Sequence, residues 1–232
     1  MSGSMWYLDA LCIGAHPDDV EIGMGATVAK MVRQGARVAI VDLTNGEPTP
    51  HGSLKIRAAE SADAARILGV TRRTLSGRNR YLFDTIEARQ ELAEVIRELR
   101  PRVLFIPYAS DAHPDHVSAS SIALAARFYS KFTKTEMAGE PVFPERVYRY
   151  MAVHQRIVAE PSFIVDVSED LETKLSAIRA YGSQFSANPA NATVIELVEQ
   201  TALMWGGLGR VHAGEPFFAL EPIAVHSALD LL

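Results

Sequence analysis

The stretch ALCIGAHPDDVE, residues 10–21, sets an apolar run directly against one histidine and three carboxylates. A short apolar run without alternating charge reads as a strand buried on both faces, the habit of parallel sheets. The charge behind it then falls at the carboxyl end of that strand, where open parallel sheets bind ligands.

Outward from that stretch the pattern repeats. Leu8–Ile13 is expected as the first strand and Ala26–Gln34 as a helix ending at Gly35. RVAIVDLT (37–44) reads as the second strand, NGEPTPHGS (45–53) as a turn-rich loop, and Leu54–Leu68 as a helix closed by Gly69. Thr85–Leu99 reads as a helix stopped by Pro101, and RVLFIPY (102–108) as the next strand. The polar loop ASDAHPDHVSAS (109–120) feeds an apolar-periodic helix, Ala119–Tyr129. Arg146–Met151 and Ser162–Val167 read as further strands, Leu171–Tyr181 and Thr193–Leu208 as helices, and GEPFFALEPIAV (214–225) as extended. The expected fold is therefore α/β: a Rossmann-like three-layer α/β/α arrangement around a mainly parallel sheet, in one domain over residues 5–232. Met1–Ser4 reads as an expression scar outside it.

With 48% apolar and 22% charged residues the composition is that of a water-soluble globular protein. No apolar run approaches the ~20 residues that a membrane-spanning helix needs, so no membrane partner is expected. A net charge of −5 without a basic stripe argues against nucleic acid; TRRTLSGRNR (71–80) is the one basic cluster. The single cysteine, Cys12, allows no internal disulfide and reads as a core residue. The first dozen residues lack a secretory pattern, and a cytoplasmic location is expected.

His16 and Asp19 in HPDD are three residues apart, as are His113 and His116 in HPDH. If each proline opens a helical turn, such pairs share a side. Two ligands from the first cluster and one imidazole from the second would then hold a metal. Imidazoles plus a carboxylate suit zinc, and three protein donors leave a position open, as catalytic sites do. Either cluster alone also reads as an acidic helix N-terminus, where charge suits the helix dipole. Two of them, each behind a strand, favour one shared metal crevice. An activated water needs a base, which Asp18 offers beside Asp19. His113 is expected to assist the developing oxyanion or the departing group, with Asp115 orienting its ring and raising its pKa.

AHPDDVEIG (15–23) together with DAHPDH (111–116) resembles the zinc-dependent N-deacetylases of the LmbE-like, or PIG-L, family. RVAIVDLT, LKIRAAESADAARILGV (54–70) and PSFIVDVSEDLETKLSAIRAYGSQF (161–185) look like the bacillithiol-biosynthesis branch, so the likeness runs from Leu8 to Val225. The resemblance implies His16, Asp19 and His116 as zinc ligands, in a set that iron can also occupy. It implies Asp18 as general base, His113 and Asp115 as aids to the transition state, and Arg57 as a contact to sugar hydroxyls. The implied reaction removes acetyl from an N-acetylglucosaminyl conjugate, a malate glycoside in that branch. Assembly as a homo-oligomer, commonly a hexamer, is implied as well.

The loops NGEPTPHGS and LSGRNRYLFDT (75–85) depart from that branch, which puts the aglycone in doubt. Arg78 and Arg80 could meet an anionic aglycone, against their plainer reading as solvated charges. His51 reads as a surface residue, and His154, His212 and His226 as structural. The rival readings are a zinc phosphoesterase or esterase and a metal-binding protein without turnover. Asp18 and His113, unnecessary for binding alone, weigh against the last.

Overall fold

In the computed structural model, which describes residues 6–75, 78–151, 154, 159–225 and 227, the apolar run Leu8–Gly14 forms strand β1. Ala10 and Cys12 enter one apolar cluster and Leu11 and Ile13 the other, so helices must cover both faces. The chain continues through α1 (Asp19–Arg33), β2 (Val38–Asp42), α2 (Leu54–Leu68), β3 (Thr71–Thr74), α3 (Ile86–Leu99) and β4 (Pro101–Ile106). It then forms α4 (Pro114–Tyr129), β5 (Arg146–Tyr150), β6 (Phe163–Asp166), α5 (Leu171–Arg179), α6 (Val194–Gly209) and β7 (Gly214–Ala219). Helices α1, α2, α5 and α6 pack on the face of Cys12, and α3 and α4 on the face of Leu11. The result is the expected three-layer α/β/α arrangement.

The strands lie in the order β3-β2-β1-β4-β5-β7-β6. All neighbours among β1 to β5 pair parallel, while β7 runs antiparallel to both β5 and β6. Because β1 sits between β2 and β4, the winding reverses there, and a crevice opens beyond the carboxyl ends of β1 and β4. Both histidine clusters follow those two strands.

Three elements differ from expectation. Helix α1 starts at Asp19 rather than Ala26 and is broken at Met24, whose φ of −155° and ψ of 22° are not helical. Beyond the break, the Glu215 carboxylate of β7 accepts the N–H groups of Ala26 (3.2 Å) and Thr27 (2.7 Å), so the second half has a cap supplied from far along the chain. Helix α4 starts at Pro114, not Ala119, with the His113 side chain accepting from Asp115 N–H at 3.1 Å. The basic TRRT stretch is an edge strand: Arg72 turns inward to Asp42 and Glu21, and Arg73 outward to Glu98. Of the extended tail, only Gly214–Ala219 is strand. Among the described residues no helix is long and apolar enough to cross a membrane.

Candidate metal centre

Gly14 ends β1 in a tight place, where a Cβ would meet His16 O at 3.0 Å and Asp42 Oδ1 at 3.3 Å. From there the chain turns tightly. Asp19 Oδ2 accepts the N–H groups of Ala15 (3.0 Å) and His16 (2.9 Å), fixing both the loop and its own carboxylate. Asp18, between the two, has φ of 108°, a left-handed conformation costly for any residue with a Cβ. Its side chain makes no capping bond to the helix and lines the cavity instead.

Across the crevice, Pro114 opens α4 and His116 lies in its first turn. Its Nε2 comes within 3.3 Å of His16 Nδ1 and 3.2 Å of Asp19 Oδ1, while His16 Nδ1 is 3.5 Å from Asp19 Oδ2. Donors bonded at ~2.05 Å to one tetrahedral ion would be separated by ~3.3 Å. The two Asp19 contacts are made by different oxygens, and one donor atom from each residue lies within 4.8 Å of the others, so the three buried side chains (5%, 3% and 2% exposed for His16, Asp19 and His116) could hold a metal ion.

Two further carboxylates hold the rings of the two candidate ligands. Asp115 Oδ2 lies 2.9 Å from His16 Nε2, and Asp111 Oδ2 lies 2.9 Å from His116 Nδ1. Each imidazole thus has its second nitrogen fixed by a carboxylate, the usual support of metal-bound histidine. Burial disfavours charge on both rings. Bonds to Asp115 and Asp19 outweigh it and push His16 up to about 9, and Asp19 with Asp111 pushes His116 up to about 10. The surrounding carboxylates favour positive charge at this place, which a divalent ion would supply.

The expected partnership of Asp115 with His113 is corrected by this geometry. Asp115 spends its carboxylate on His16 and on the N–H groups of Tyr81 (3.1 Å) and Leu82 (2.9 Å), and only its own backbone N–H reaches His113. Burial and the nearby His16 and His116 rings push His113 down to about 4, the opposite of the expected shift. Its Nδ1 accepts from Asp115 N–H, so the neutral ring carries its proton on Nε2. Arg80 Nη2 stands 3.2 Å from that Nε2, setting two donors against each other. An acceptor entering there would be bonded by both.

Arg57 is 3% exposed; it donates to Asp18 Oδ2 at 3.2 Å and Pro17 O at 2.6 Å, and its Nε makes no hydrogen bond but lies 3.9 Å from Glu47 Oε1. Burial pushes the Asp18 carboxyl up to about 6 against the pull of Arg57. Beneath them, Tyr181 donates to Glu21 (2.9 Å), which also pairs with Arg72, itself held by Asp42 through two bonds of 2.7 Å. Arg78 turns away to Glu91 at 2.5 Å, and His51 is exposed. His154, expected as structural, stands with its ring centroid 5.1 Å from His116 and 5.6 Å from His113, on the cavity wall. His226 lies outside the described residues. Asp111 and His154 are the site residues that sequence reasoning did not assign.

Fold and site together define a three-layer α/β protein with a His-His-Asp group able to hold a metal ion at its switch point. The chain belongs to the GlcNAc-PI de-N-acetylase (PIG-L) family, whose profile matches residues 11–127. It is similar to diacetylchitobiose deacetylase of Thermococcus kodakarensis, 32% identical over 75% of this chain and 69% of that one. It is also similar to a 1D-myo-inositol 2-acetamido-2-deoxy-alpha-D-glucopyranoside deacetylase of Streptomyces scabiei, 30% identical over 91% and 79% of the two chains. The crystal structure of the conserved protein TT1542 from Thermus thermophilus superimposes with a TM-score of 0.87 and 36% identity, covering 95% of this chain and 98% of the other.

Proposed function

We propose that this chain is a metal-dependent N-deacetylase that hydrolyses the acetamide of an N-acetylglucosaminyl conjugate to acetate and a free amine. The observation that carries the reading is the convergence of one donor atom each from His16, Asp19 and His116 within 4.8 Å, with Asp18 beside them on the cavity wall. The relatives from Thermococcus and Streptomyces are both deacetylases of acetylated sugars. Zinc suits the donor set best, with ferrous iron as an alternative occupant.

A divalent ion held by these three side chains would supply Lewis acidity and a water of lowered pKa. The chain's own residues manage the protons and the charge. Asp18, with a pKa near 6, takes the proton from the attacking water, and its left-handed backbone together with Arg57 aims the carboxylate. The carbonyl oxygen gains negative charge between the His113 Nε2–H and Arg80 Nη2 donors. When the C–N bond breaks, Asp18 returns its proton to the nitrogen, and acetate and amine leave. Arg57, on the cavity wall beside Asp18, stands where a sugar hydroxyl would meet it.

The test is acetate release from N-acetylglucosaminides by protein stripped of metal and reloaded with zinc or ferrous ion. Acetate appearing only in the reloaded protein supports the reading. Phosphate release from phosphoesters without acetate release replaces it with a phosphoesterase.

A further inference from the structure

From the metal ligands a cavity of about 600 Å³ runs across Ile22 and Gly23 to the C-terminal helix α6. Its two ends differ in chemistry. The near end holds His16, Asp18, Asp19, Arg57 and Arg80, every one of them needed for the reaction proposed above. The far end is walled by Phe185 and by Val194, Leu197, Val198, Met204 and Trp205 of α6. Positions 194, 198 and 205 share one face of that helix, and 197 and 204 flank it one turn pair apart.

Charge at the far end is cancelled. Lys174 and Glu215 reach the cavity, but they pair at 2.6 Å with side chains 4% and 2% exposed. Glu215 is committed further to Ala26 and Thr27 N–H. The other polar groups there are uncharged: Gln184, Asn188, Asn191 and Thr201. Arg78, once expected to meet an anion, is engaged by Glu91. Among the described residues that line this end, no cation is free to receive a carboxylate.

Two observations mark the wall as a binding surface. Leu197 and Met204 are 38% and 48% exposed although they border a concave site, an arrangement that costs solvation until something apolar covers them. Trp205 is 2% exposed, yet its indole Nε1–H has no hydrogen-bond partner. A buried donor left unpaired is costly, and an acceptor on a bound group would satisfy it.

Resting on the deacetylase reading, we infer that the group joined to the acetylated sugar is uncharged and mainly apolar. It lies along α6, with one hydrogen-bond acceptor directed to Trp205. A dicarboxylate aglycone such as malate does not suit this wall.

The experiment compares phenyl, methyl and carboxymethyl N-acetylglucosaminides as substrates of the zinc-loaded protein. The phenyl glycoside is expected to surpass the carboxymethyl one in kcat/KM by about tenfold or more, chiefly through KM. Leu197→Asp should lower the phenyl-to-methyl ratio by about tenfold, and Leu197→Met should keep it. Binding is read separately. The sequence holds two tryptophans, so Trp6→Phe leaves Trp205 as sole emitter, and phenyl glycoside should change its fluorescence saturably. Acetate release with equal phenyl and carboxymethyl efficiency, and a silent Trp205, overturns the inference while the deacetylase reading stands. A saturable Trp205 signal that Leu197→Asp abolishes, without acetate release from any glycoside, overturns the deacetylase reading and leaves the apolar subsite. Neither signal nor release overturns both.

Discussion

Asp115 Oδ2 sits 2.9 Å from His16 Nε2, although ninety-nine positions separate the two residues. The same carboxylate group receives the N–H groups of Tyr81 and Leu82, where Tyr81 has a left-handed φ of 79°. One side chain thus sets both the ring of a proposed ligand and the path of the loop that carries Arg80. Asp115→Asn is expected to weaken metal binding by about 10–100-fold, the usual cost of losing a carboxylate behind a ligating histidine. Titration of metal-free protein against a competing chelator measures it, and unchanged affinity would remove Asp115 from that role.

Asp111 supports the other ring. Asp111→Asn should cost metal affinity on the same scale, ~10–100-fold. Because Asp111 acts on His116 and Asp115 on His16, the two losses should add approximately in the double variant. A double variant no weaker than either single one would show that the two rings are not held independently.

Asp18 combines a chemical role with a strained backbone. Asp18→Ala and Asp18→Gly should both retain metal and lose turnover by about 10²–10⁴, because the general base is gone. They should differ in stability. Glycine tolerates φ of 108° and alanine does not, so the glycine variant should be the more stable by ~1 kcal/mol. Urea unfolding of the two variants decides, and equal midpoints would mean that the turn relaxes without cost.

Arg72 is the only cation touching two carboxylates of side-chain exposure 0%, Glu21 and Asp42, among the described ion pairs. Burial raises the Asp42 pKa and Arg72 opposes it. Arg72→Met should destabilise the fold by ~3–5 kcal/mol, since two buried acids lose their counter-charge. Adding Glu21→Gln and Asp42→Asn should recover a large part of that loss. No recovery in the triple variant would point to packing rather than charge.

Gly23 faces the ring of Tyr150, and a Cβ there would stand 2.4 Å from Tyr150 Cδ2. The ring is 1% exposed and its hydroxyl is tied to Ile13 O at 2.8 Å, so it has little freedom to withdraw. Gly23→Ala is expected to cost ~1–3 kcal/mol through overpacking. A melting temperature equal to that of the parent would show that the ring moves aside freely.

What the sequence discloses follows from which forces are local. The apolar runs of β1, β2 and β4 are legible because parallel strands are covered on both faces. Ligand spacing is legible because His16/Asp19 and His113/His116 each lie within one turn, and the family resemblance agrees with that spacing. Distant contacts are not legible. Strand β3 holds its arginine inward only because Glu21 and Asp42 meet it, and α1 resumes at Ala26 only because Glu215 arrives from β7. Asp111 and Asp115 flank one histidine symmetrically in DAHPDH. Only the folded arrangement sends one to His116 and the other to His16. His154 has no neighbouring motif at all and joins the site through β5.

The carboxylate of Glu215 that reseals α1 beyond Met24 has a consequence for what can be dissected. The stretch matched by the family profile ends at residue 127, well before this strand. A fragment cut to that matched portion would keep every proposed ligand and yet leave the amide groups of Ala26 and Thr27 without their carboxylate. The profile match and autonomy therefore have different borders in this chain: the matched stretch carries the proposed ligands, whereas self-sufficiency needs the last strand as well, and relatives similar over 91–95% of the chain span that strand too.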